Sequence, residues 1–76
     1  MNRTAAKQLV VCIENEGYPA ALERRKIYIA LRDEAARMHG LLRVIDESGE
    51  DYLYPKRFFR PVELPQPLKR AVLAAA

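Results

Sequence analysis

Apolar positions along this chain fall in short runs, separated by polar breaks that carry Gly or Pro, and this spacing predicts short strands rather than long helices. The first run, Leu9-Val10-Val11-Cys12-Ile13, is continuous and rich in β-branched side chains. Glu14-Asn15-Glu16-Gly17 stops it, so a buried first strand is expected to enter a loop. Gly17-Tyr18-Pro19 punctuates that loop, because Gly admits positive φ and Pro biases its predecessor away from helix. One helical turn is expected over residues 20–24. In residues 26–31 Ile27, Ile29 and Leu31 alternate with Tyr28 and Ala30, which predicts a second strand with the three aliphatic residues on its core face.

Asp33 stands where a helix N-cap is wanted, Glu34 follows in the first turn and Gly40 ends the segment, so residues 34–39 predict a short helix. Leu41-Leu42-Arg43-Val44-Ile45 and Tyr52-Leu53-Tyr54 flank residues 46–51, whose Ser-Gly supplies turn chemistry and whose acids suit a solvated tip. This predicts a hairpin. Pro55 is expected to interrupt the strand, Lys56-Arg57-Phe58 to make one tight helical turn, and residues 60–64 to form an edge strand that tolerates Pro61. Beyond Pro65-Gln66-Pro67, Leu68, Val72 and Ala75 share one side of a tail that is expected to be helical or frayed.

The order of these elements, together with Tyr54-Pro55-Lys56-Arg57-Phe58-Phe59, resembles the ending of an SH3-like barrel: a strand, a proline, two polar residues, an aromatic and a hydrophobic residue. Through residues 42–55 the chain also resembles a family of small uncharacterised bacterial proteins of this barrel type, which brings no known activity with it. The resemblance implies a mainly β fold, a small five-stranded SH3-like barrel over residues 8–64 with a short helix in one loop, and a tail over residues 65–76. SH3 domains hold proline-rich ligands in an aromatic groove that includes a tryptophan, and this chain has no Trp. Tyr18, Tyr54, Pro55 and Phe58 remain as groove residues.

With 76 residues the chain has room for a single core. Thirteen Lys and Arg against ten Asp and Glu leave a net charge of +3, a mild preference for anionic partners. Cys12 is the one cysteine, so neither a disulfide framework nor a cysteine zinc cluster can form within the chain, as suits a reducing cytoplasm. The apolar run at residues 9–13, preceded by Arg3 and Lys7, is too short for a secretory or membrane segment.

His39 lacks a second histidine or cysteine partner, and its place in the last helical turn is explained by the helix dipole. Asp46, Glu47, Glu50 and Asp51 lack the alternation of a calcium loop. The expectation is therefore of no catalytic residues, no metal and no cofactor. The first functional reading is a non-enzymatic adaptor that holds a protein or peptide at Tyr18, Tyr54, Pro55 and Phe58. The alternative is RNA or single-stranded DNA binding through Lys56, Arg57 and Arg60, with bases stacking on an exposed Phe58 or Tyr54. Phe58 and Phe59 are expected first to close the core, since so small a chain needs its aromatics inside; after a tight turn one of the two can instead face outward, as the nucleic-acid reading requires.

Overall fold

The computed structural model describes residues 7–75, so Arg3 and the final residue of the tail, Ala76, lie outside it. Among the described residues the chain runs through β1 (Lys7–Cys12), β2 (Ile27–Leu31), α1 (Glu34–Met38), β3 (Leu41–Ile45), β4 (Asp51–Pro55), a 3-10 turn (Lys56–Phe58), β5 (Phe59–Pro61) and α2 (Gln66–Ala75). The five strands form one antiparallel sheet in the order β4-β3-β2-β1-β5. The expected closed barrel is not formed. β4 and β5 are the two edges of the sheet, and the chain passes between them as the 3-10 turn. Tyr54, Phe58 and Phe59 are buried there, and side-chain packing replaces a closing ladder.

Two boundaries differ from expectation for local reasons. Pro55 is the last residue of β4, opposite Leu41, where a proline costs no bond to a following strand. β5 begins at Phe59 and ends at Pro61, although the Val62 amide still donates to the Leu9 carbonyl at 2.9 Å. The helical turn in the first loop also comes earlier than expected, with the Ala21 and Leu22 amides both donating to the Tyr18 carbonyl. It drives Leu22 fully into the core.

The sheet is apolar on both faces, and this inverts the expected reading of β2. Tyr28 and Ala30, not Ile27 and Ile29, face the main core, where they join Val10, Cys12, Val44, Tyr54, Phe58 and Phe59. Strand period survives while its polarity reverses. Tyr28 tolerates burial because its hydroxyl donates to Glu47 Oε2 and accepts from the Glu23 amide at 2.7 Å. The pairings Leu9↔Ile29 and Ile29↔Ile45 set a second apolar row on the outer face. Leu9 and Ile29 are buried beneath α2, whose Val72 and Ala75 line a groove of about 420 Å³ with Ile27 and Ile45. The expected tail face is rotated by part of a turn: Lys69, Val72 and Leu73 are half-buried, and Leu68 is exposed.

α1 follows its sequence signals. The Asp33 side chain accepts from the Ala36 amide at 3.0 Å, and Gly40 takes a φ of +72° beyond the last turn. No helix among the described residues is long and apolar enough to cross a membrane.

Candidate functional site

The hairpin gives the molecule two chemically opposite ends. Leu41 pairs with Pro55 at one end of β3 and Ile45 with Asp51 at the other, about 13 Å away at the usual strand rise. The acids of residues 46–51 gather at the far end, where Glu47, Glu50 and Asp51 are exposed as expected and Asp46 is not. Asp46 is buried, accepting from the Ser48 amide at 2.8 Å, the Ser48 hydroxyl at 2.6 Å and the Tyr54 hydroxyl. Burial acts to raise its carboxyl, but these donors outweigh burial and hold it below its ordinary value. Glu47 is likewise held low, by Lys26 first and then by the Tyr28 hydroxyl. The acidic end is a fastened structural corner.

The opposite end is basic. The Lys56 amide donates to the Gly40 carbonyl at 2.9 Å, pinning the start of the 3-10 turn to the end of α1. This bond brings residues far apart in sequence to one surface. Gln8, Arg32, Arg37, Lys56 and Pro61 line a concavity of about 500 Å³. Pro55, Lys56, Arg57, Arg60 and Pro61 line an adjoining one of about 510 Å³. Lys56 and Pro61 belong to both.

The cations on this surface differ in how far they are neutralised. Arg32 pairs with Glu34 at 2.8 Å, and Arg57 pairs with Glu14 at 3.0 Å while lying 5.0 Å from the Phe58 ring centroid. Both pairs are well exposed, so each contributes about 0–1 kcal/mol and opens readily. Asp33 also lines the first concavity, but it is occupied by the Ala36 amide and the Arg43 guanidinium, which together lower its carboxyl. Arg37, Lys56 and Arg60 have no acidic partner among the described residues. Arg60 is positioned without being neutralised, since its Nη1 donates to the Phe59 carbonyl at 3.0 Å.

The expected groove residues do meet. The Tyr18 ring lies edge-on to Tyr54 at 5.0 Å and to Phe58 at 6.2 Å between centroids. They do not form an open aromatic groove. Tyr54 and Phe58 are 4% and 2% exposed, which leaves Tyr18 and half-buried Pro55 at the surface. Phe59 is buried too, so both phenylalanines close the core, and neither faces outward as the stacking alternative required. The reason is the size of the core: bridging the gap between the two sheet edges takes both rings.

Sequence reasoning placed Lys56, Arg57 and Arg60 together and missed Arg32, Arg37 and Gln8. Nothing local marks those three as neighbours of the turn. A hint was available in the Gly40 stop, which forces α1 to reverse beside β3 and therefore beside the end of β4. Compared with protein-family models, with curated proteins and with solved structures, the chain shows no significant match.

Proposed function

We propose that this chain is a small non-enzymatic binding module that holds nucleic acid by its phosphates on the basic surface shared by α1, the 3-10 turn and β5. The observation that carries the reading is the convergence of Arg37, Lys56 and Arg60, without acidic partners among the described residues, on two adjoining concavities. The reading is supported by the placement of four of the ten acids at the far end of the hairpin, while the acids near the basic end, Glu14, Asp33 and Glu34, are each already paired with an arginine other than Arg37 and Arg60. The fold belongs to the same proposal. An SH3-like arrangement is supported by the order of connections and by the single 3-10 turn between the last two strands, with the sheet left open.

Fluorescence anisotropy with labelled oligonucleotides tests the function. The double variant Lys56→Gln/Arg60→Gln is expected to fold as the parent does and to lower the slope of log affinity against log salt by about 1.8 for a duplex. Absence of binding by the parent at low salt, or an unchanged slope in the variant, overturns the reading. The peptide-groove reading keeps only Tyr18 and Pro55 at the surface, and burial of Tyr54 and Phe58 removes its main contact area.

A further inference from the structure

Single-stranded nucleic acid is normally held by two devices together, cations along the backbone and exposed aromatic rings on which bases stack. The basic surface has the first device without the second. Its lining is Arg, Lys, Gln, Pro, Gly and aliphatic side chains with one acid, Asp33, which is engaged by Arg43 and the Ala36 amide, and the one aromatic among its lining residues, Phe59, is 4% exposed. Phe58, beneath Arg57, is 2% exposed. The exposed tyrosines lie elsewhere: Tyr52 is on the edge strand, bonded to Glu50, and Tyr18 packs edge-on against Tyr54. Neither lines the two concavities.

A flexible single strand docking here would lose conformational freedom with no stacking to offset the loss. A duplex carries its phosphates already ordered and at higher linear charge density, so the same cations release more counterions from it. We infer that the basic surface selects double-stranded nucleic acid, gripping phosphates through Arg37, Lys56 and Arg60 without reading bases. This inference rests on the nucleic-acid reading above and narrows it to one form of the polymer. It also replaces the expected base stacking, since the rings assigned to that task are in the core.

Anisotropy titrations of the full chain with short DNA duplexes of two unrelated sequences, and with each of their separated strands, test it. The duplexes are expected to bind at least about fivefold tighter than the single strands and to agree with each other within about twofold. Three phosphates engaged give a log–log salt slope of about −2.7, a fall of roughly 40-fold in affinity between about 50 and 200 mM salt. Single strands that bind as tightly as duplexes overturn the selectivity and leave the nucleic-acid reading intact. A tenfold difference between the two duplexes overturns recognition by phosphates alone. Failure of every oligonucleotide to bind at low salt removes both readings together.

Discussion

On the inner face of the sheet, Val10, Cys12, Tyr28, Ala30, Val44 and Tyr54 meet Leu22 from the first loop, Phe58 from the 3-10 turn and Phe59 from the start of β5. On the outer face, Leu9, Ile29 and Ile45 meet α2, which buries none of its own residues fully and leaves a groove beside Val72 and Ala75. The same strands supply both faces, so strand propensity cannot explain the difference. The inner face is closed by Leu22, Phe58 and Phe59, all 4% exposed or less, whereas the outer face is closed by a helix with no fully buried residue. Ordering a helix of this length must be compensated by its contacts with the sheet, and those contacts are few. Stability is therefore concentrated on the inner face.

The largest test removes the inner closure. Phe58→Ala should cost about 3–5 kcal/mol, a large part of the roughly 4–11 kcal/mol available to a domain of this length, and urea titration followed by circular dichroism should find the variant largely unfolded. Deleting residues 66–76 should cost less, about 1–3 kcal/mol, and leave a cooperative transition whose midpoint is lowered by roughly 5–20 °C. If the truncated chain loses cooperative unfolding, the two faces are equally important and the comparison fails.

The smallest effect concerns the polar edge of the inner face. Because the Asp46 carboxyl is held below its ordinary value of 3.8 in the folded chain, it stabilises the fold above that value, and the contribution is lost as pH falls through the lowered one. Thermal melts between neutral pH and strong acid should show this loss in the parent. Asp46→Asn should flatten the acid limb while lowering neutral-pH stability by about 1–3 kcal/mol through the altered bonds to Ser48 and Tyr54. An unchanged acid limb would assign the dependence to Glu47 or Asp33, whose carboxyls are also held low.

The amino-acid sequence determined what is local. Asp33 and Gly40 delimit α1, Ser48 and Gly49 occupy the turn between β3 and β4, and Pro55 leads into the 3-10 turn, because caps, positive φ and proline geometry act within a few residues. Tertiary structure decided which way the strands face. Tyr28 and Ile29 are both apolar enough to be buried, so alternation alone leaves β2 with two equivalent inner faces, and the partners that let the Tyr28 hydroxyl enter the main core, Glu47 and the Glu23 amide, are brought to it by the fold. Tertiary structure also decided the site. Arg37 and Lys56 are nineteen positions apart, and no local signal joins them until the Lys56 amide reaches the Gly40 carbonyl. Burial of the aromatic rings was decided in the same way, by a gap between two sheet edges that exists only once five strands have paired.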